Sequence, residues 1–305
     1  MTEGDVFLQQ LINGLTIGMI YALIALGYTM VYGIVQLINF AHGEIFMVGA
    51  YLAYVASAWL AGIFAGPHGT IALLLLTFLF AMAGTALLGA GIERFAYRPL
   101  REAPRLAPLI TAIGVSFLLQ NAVMLMFGPA DKSVPYLIPI KKFSFGSVTL
   151  TNLQVLIAAA SLFLMLALHL FVTYTRTGRA MRALADDRQA ASLMGIDVDY
   201  MIMVAFVLGS ALAGAGGVMF GMYYNTINFH DGYMAGLKAF TAAVLGGIGN
   251  IPGAMVGGVL IGVLEGLGAG YLSSEWKNVF AFFILILILL FRPSGILGAR
   301  VVKKV

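Results

Sequence analysis

Long apolar runs alternate with short charged ones along this chain, and the alternation predicts its architecture. No charged residue falls between Asp5 and Glu44, between Glu44 and Glu93, or between Arg105 and Asp131; residues 143–175, 200–230, 239–264 and 278–291 are equally free of charge. A hydrocarbon core about 30 Å thick takes roughly 20 apolar residues per helical span. The gaps therefore predict spans near residues 8–31, 45–61, 71–91, 106–127, 152–174, 201–222, 253–271 and 279–291, with a further short apolar piece at 237–245. The expected fold is an all-α polytopic membrane protein: a bundle of about 8–9 transmembrane helices, one or two of them interrupted, forming a single transmembrane domain over residues 1–305. The segments 34–43 and 246–252 carry no basic residue and are the places where a helix is expected to break at membrane depth.

Small residues recur every fourth position in three of these segments: Gly14, Gly18 and Ala22; Gly209, Ala213, Gly217 and Gly221; Gly258, Gly262, Gly266 and Gly270. Lipid supplies no hydrophobic drive for helix association, so close backbone approach through such ridges has to supply it. The ridges predict either tight bundle packing or an interface that slides.

Composition agrees. Of 305 residues 61% are hydrophobic and only 10% charged, against about 25% charged in soluble domains. Twelve of the 17 basic residues fall in three clusters: Arg94, Arg98, Arg101 and Arg105; Arg176, Arg179, Arg182 and Arg188; Arg292, Arg300, Lys303 and Lys304. The positive-inside rule puts all three, and the C-terminus, in the cytoplasm. The N-terminus and the loop at 128–151 are then outside. Residues 1–5 hold no Lys or Arg, so the first apolar segment reads as a retained span rather than a cleaved signal. The net charge of +4 marks the cytoplasmic face and does not suggest nucleic acid. There is no cysteine and there are four scattered histidines. That excludes thiol chemistry and iron–sulfur ligation, leaves an intramembrane enzyme without a nucleophile and base, and predicts neither metal nor cofactor.

Three constellations stand out. In "VQLINFAHGEIFMVGAY" an amide, an imidazole and a carboxylate (Asn39, His42, Glu44) flank Gly43 inside an apolar run. Ionisable groups within a membrane segment mark pathways or gates, and a broken helix would turn loose backbone groups toward a cavity. The alternative is a short cytoplasmic turn in which Asn39 caps, Gly43 turns and Glu44 opens the next helix. In "LGGIGNIPGAMVGG", Gly247, Asn250 and Pro252 form a second interruption, and paired interruptions point to a transport pathway. No Lys follows these glycines and no strand precedes them, so this is not a phosphate loop. In "RALADDRQAASLMGIDVDYM", Asp186 or Asp187 caps a helix of about two turns that ends before Gly195. Ala190, Ala191, Leu193 and Met194 give that helix an apolar face for a partner's groove or for the membrane surface. Glu265 is a possible intramembrane acid: it pairs with Lys238 or Lys277, or couples an ion. His169 is expected to satisfy itself in a helix interface, and Tyr223, Tyr224 and Tyr233 to form an interface belt. Asn225, Asn228, His230 and Asp231 make a polar outer loop.

"GYTMVYGIVQLINFAHGEIFMVGAY", "LADDRQAASLMGIDVDYMIMVAFVLGSALAGAGG", "AVLGGIGNIPGAMVGGVLIGVLE" and "LLFRPSGILG" together resemble the permease subunits of branched-chain amino acid ABC importers, of the high-affinity LivH type, from about residue 11 to 298. The resemblance implies an inner-membrane permease with a second homologous permease subunit, two cytoplasmic ATP-binding subunits beneath and a periplasmic substrate-binding protein above. The loop at 175–200 would hold the coupling helix, with Asp186, Asp187, Arg188, Ala191, Leu193, Met194 and Gly195. The family also includes permeases for urea and short amides. An ion-coupled secondary transporter is the alternative of another class.

Overall fold

In a computed structural model the chain is described over residues 3–62, 69–101, 103–104, 106–273, 276–292 and 294–298. Among the described residues eleven α-helices run as α1 (Glu3–Val35), α2 (His42–Ala61), α3 (Gly69–Ile92), α4 (Leu106–Phe127), α5 (Asn152–Tyr174), α6 (Arg176–Asp186), α7 (Arg188–Leu193), α8 (Val198–Tyr224), α9 (Asp231–Gly246), α10 (Ile251–Tyr271) and α11 (Lys277–Phe291). Past α3 the helix widens into one π-helical turn (Glu93–Tyr97) and tightens into a 3₁₀ turn (Arg98–Leu100). Four short strands decorate one end: β1 (Lys132–Ser133) pairs with β4 (Thr226–Ile227), and β2 (Lys142–Phe145) with β3 (Val148–Thr151).

Every apolar segment expected from the sequence is a helix. Among the described residues, seven (α1, α2, α3, α4, α5, α8 and α10) are long and apolar enough to cross a membrane. The expectation of eight or nine full spans is met only if α9 and α11, of 16 and 15 residues, are counted. At 1.5 Å per residue α9 reaches about 24 Å. It needs no more, because it is walled in by α1, α2 and α10 and meets little lipid.

α1 is the axis. It is buried almost without interruption from Gly14 to Val31, with α8, α9 and α10 against it. The two glycine ridges read separately in the sequence are partners. A Cβ at Gly14 would strike the Gly262 carbonyl, one at Gly18 would strike Val259, and one at Gly262 would overlap the Gly18 backbone. Two buried hydroxyls are absorbed by their own helices: Thr16 bonds back to the Ile12 carbonyl at 2.9 Å and Thr85 to that of Ala81 at 2.8 Å.

The two ends of the bundle differ. At one, Gln9 clasps the β2–β3 hairpin, with Nε2 donating to the Thr149 carbonyl at 3.0 Å and Oε1 accepting from the Thr149 amide at 2.8 Å. Strands β1 and β4, the start of α9 and Asn228 lie at this end. At the other, Arg98 and Arg101 pair with Asp199 at the start of α8, bringing the first basic cluster beside the loop that carries the second. Arg105, Arg300, Lys303 and Lys304 lie outside the described residues.

The ridge contact predicts asymmetric tolerance. Gly262→Val should abolish the folded bundle, since Cβ and both methyls would enter the α1 backbone. Gly114→Ala, at an exposed position on α4 with nothing within 4 Å, should be neutral or more stable by up to about 1 kcal/mol. Thermal unfolding in detergent, followed by size-exclusion, separates the two outcomes.

Candidate functional site

α1 ends when Gln36 takes a left-handed φ of 55° while its amide still bonds the Tyr32 carbonyl at 2.8 Å. Residues 36–41 are not helical, and α2 begins at His42. The break opens at the exposed Gln36 and runs inward to the buried Asn39, Ala41 and His42. The His42 ring sits against Gly27, more than two turns back along α1, and Gly27 in turn lies against Gly209, well inside α8. The segment therefore climbs from the basic end of the bundle to mid-depth, where Glu44 lies opposite Ser116, near the middle of α4. The interruption anticipated from the sequence is present, with Glu44 in the first turn of the next helix and Asn39 and His42 buried in protein. Irregular backbone at membrane depth is tolerated only in such a place.

Side chains hold the turn. Asn39 Oδ1 accepts from the Ala41 amide at 3.1 Å and from the Tyr97 hydroxyl at 3.0 Å, and the His42 amide bonds the Asn39 carbonyl at 3.0 Å. The local half of this is the turn chemistry Asn favours; the bond from Tyr97 comes from the π-helical turn after α3. His42 meets the Tyr28 ring edge-on at 4.8 Å between centroids. Gly43 packs against Gly232 and Gly236 of α9, and any Cβ there would strike the Gly232 carbonyl. Glu44 receives a hydrogen bond from the Ser116 hydroxyl at 3.3 Å. Asn39, His42 and Glu44 are 2%, 1% and 1% exposed, yet among the described residues Asn39 Nδ2, His42 Nε2 and Glu44 Oε2 find no hydrogen-bond partner. Each such orphan costs about 1–3 kcal/mol, so this arrangement is held in place by its surroundings.

The second interruption is a tight turn at the basic end. Gly247 (φ +104°) and Gly249 (φ +92°) adopt backbone that other residues resist. Asn250 caps α10 through the Gly253 amide at 3.0 Å, with Pro252 in the first turn. Residues 295–298 pack on it. Ile296 and Leu297 amides bond the Leu245 and Gly246 carbonyls at 2.8 and 3.0 Å, and Asn250 Nδ2 donates to the Leu297 carbonyl at 2.6 Å. Asn250 and Pro252 border a cavity of about 920 Å³ shared with Tyr32, His169 and Arg182. Gly247 is not on that wall; it lies against Gly295 and Gly298. The two interruptions come near each other where Gly33, at the end of α1, approaches Gly249, and where Ile38 and Ile248 border one small pocket.

In the third constellation the cap is Asp187, whose carboxylate accepts from the Gln189 and Ala190 amides at 2.9 Å each. Asp186 is the last residue of α6. Arg188 opens α7, and Gly195 (φ +81°) follows its end. The expected apolar face is split: Ala191 is buried against the bundle, while Ala190 faces outward and Leu193 and Met194 stand 89% and 83% exposed.

Glu265 is paired. Its Oε1 lies 2.9 Å from Lys238 Nζ, and its Oε2 accepts from the Tyr21 hydroxyl at 3.0 Å. Among the described residues no cluster suited to a metal occurs. The sequence reading missed Tyr97, Ser116, Glu93 and Asp199. The run "ERFAYRPLR" was read only for the sign of its charges, and nothing in it announces that Arg101 and Glu93 are buried together.

The family model described as branched-chain amino acid transport system / permease component matches residues 10–289. The chain belongs to this permease family. Members similar to it nearly end to end include the high-affinity branched-chain amino acid transport system permease protein BraD of Pseudomonas aeruginosa, 50% identical over 304 residues. The LivH proteins of Salmonella typhimurium and Escherichia coli, of the same description, are each 48% identical. In all three cases the similarity covers 98% of both chains. No solved structure matches. A member of this permease family is a transport component, not an enzyme, and both interruptions and α7 lie within the matched region.

The buried pair gives a test. Removing one partner of a buried ion pair leaves an uncompensated charge, at about 3–5 kcal/mol. Lys238→Met and Glu265→Gln should each lose most of the folded permease in detergent thermal unfolding, and Lys238→Met with Glu265→Leu should regain most of it. A Glu265→Gln protein of full stability that is silent in transport would mark an ion-coupling acid instead.

Proposed function

We propose that this chain is a membrane-spanning permease subunit of an ATP-binding-cassette importer that moves branched-chain or other hydrophobic amino acids delivered by a periplasmic binding protein. It sits in the bacterial inner membrane as a single transmembrane domain, with its basic end and C-terminus cytoplasmic. It works with a second homologous permease subunit and two ATP-binding subunits. The observation that carries the reading is α7: a two-turn helix, capped at both ends, that anchors Ala191 and offers Leu193 and Met194 to the outside. A helix this short is unstable alone in water, and two adjacent bare side chains on a rigid mount fit a groove on a partner. The near full-length similarity to high-affinity amino acid permeases supports the substrate class. Loop 175–200 is then the coupling element, and the chain needs no phosphate loop of its own.

In this reading Asn39, His42, Gly43 and Glu44 form the gate of the translocation path. Their unpaired polar atoms find partners when the segment shifts or substrate passes. Gly247, Asn250 and Pro252 hold the cytoplasmic end of α9 and α10 beside the cavity.

Purification of the tagged chain from native membranes in mild detergent should bring two ATP-binding subunits and a second permease, identified by mass spectrometry. A chain that purifies alone, while its vesicles accumulate solute under an ion gradient, overturns the reading. Leu193→Ser with Met194→Ser should leave membrane levels unchanged and weaken ATPase association on the order of a hundredfold, the worth of two buried apolar side chains. Glu44→Gln should leave the complex intact and slow uptake several-fold; unchanged uptake removes Glu44 from the gate.

A further inference from the structure

Between the coupling loop and the interrupted segment runs a set of polar contacts. Asp199 lies two residues past the α8 cap Asp197, immediately after the loop that carries α7. Its carboxylate takes Arg98 through one oxygen and Arg101 through the other. Arg101 also pairs with Glu93, and both are nearly sealed from solvent, at 6% and 0% side-chain exposure. Glu93 opens the π-helical turn and Tyr97 closes it. π-Helical turns are rare and concentrate at functional places, because they aim a side chain that a regular helix would point elsewhere. Here the aimed group is the Tyr97 hydroxyl, which bonds Asn39 inside the interrupted segment. Tyr97 is itself 2% exposed and stacks near Phe206 of α8 at 5.1 Å. Beside this chain lies a cavity of about 240 Å³, bordered by Gln36, Leu37, Arg101 and Pro108. It leaves room for residues 36–37 to move against Arg101.

We propose that Asp199, Arg101, Glu93 and Tyr97 form a relay that sets the position of residues 36–41 according to the state of the coupling helix. These are positioning residues. They touch neither ATP nor substrate, and they act through Asn39. A displacement of α7 moves the start of α8 and Asp199. The two arginines carry it to the π-helical turn, and Tyr97 passes it to the turn that holds His42 and Glu44. The inference rests on the importer reading above.

The chain has no cysteine, so Leu37→Cys gives the permease a single thiol at the cavity wall. The experiment uses the whole complex with its ATP-binding subunits and reads the rate of thiol labelling at residue 37, nucleotide-free and trapped with a non-hydrolysable ATP analogue. The expected rates differ about fivefold or more between the two states, the size of a modest coupling. In Tyr97→Phe and in Asp199→Asn the difference collapses, amino acid moved per ATP hydrolysed falls by a similar factor, and Asp199→Glu restores both. A merely structural role would lower the yield of complex and leave that ratio unchanged. A nucleotide-dependent difference that survives both variants undiminished overturns the relay, as does its absence from the otherwise unmodified complex. If one variant fails to assemble, the other decides. Failure of the ATP-binding subunits to join the unmodified permease is seen before any labelling and overturns the importer reading itself.

Discussion

The structure depends on α1 being thin. In lipid, helices gain nothing by hiding apolar surface from one another, and cohesion comes from dispersion at close range. α1 achieves that range toward α10 by having no side chain at Gly14 and Gly18, and only a methyl at Ala22, while α10 offers Gly258, Gly262 and Gly266 in return. One turn beyond Ala22 the same economy serves a different purpose. Gly27 makes room for the His42 ring on one side and for Gly209 of α8 on another. The helix that anchors the bundle is thus also the wall against which the interrupted segment turns, and any thickening of it would displace both.

That turn gathers unsatisfied groups within six positions: Asn39, His42 and Glu44 each keep one polar atom without a partner among the described residues, where Thr16 and Thr85 bond back to their own helices. The contrast with the Tyr21–Lys238–Glu265 group is instructive. There, charge is buried just as deeply, but both carboxylate oxygens and the ammonium are engaged. A closed network of this kind locks α1, α9 and α10 in register. The open one at 39–44 has atoms free to change partners, which is what a segment with more than one position requires.

Much of this was legible in the chain. Charge-free gaps placed every long helix, because each crossing must satisfy its backbone internally. The cap and the glycine around α7 were readable because they are local chemistry within nine residues. The apolar piece at 237–245 is shorter than α9, since hydropathy begins at Leu237 while the helix begins at Asp231; Gly232 and Gly236 are poor in apolar area yet pack directly on Gly43 of α2. The glycine ridges were visible but not their pairing. Least legible were the long-range polar bonds. Tyr97 and Asn39 are 58 positions apart, Arg101 and Asp199 98, and no spacing rule joins them. Each looks ordinary in its own neighbourhood: one more aromatic near an interface, one more charge in a charged cluster.

The distribution of caps bears on how such a molecule could be driven. A loop that absorbs force does no mechanical work on what lies beyond it. The stretch from Thr175 to Asp197 is not built that way. Thr175 caps α6 through the Gly178 amide at 3.0 Å, Asp187 caps α7 through two amides, and Asp197 caps α8 through Tyr200 at 3.0 Å. Ile196 closes the end of α7 by bonding the Ala191 carbonyl at 3.1 Å. Every junction is fixed by a hydrogen bond from the residue at the bend, so a push on Leu193 and Met194 has few places to dissipate before it reaches α8. The compliant element lies further in, at the turn between α1 and α2, where unpaired groups make a change of position cheap. Stiff segments leading to one soft turn are an arrangement that concentrates displacement at residues 36–41.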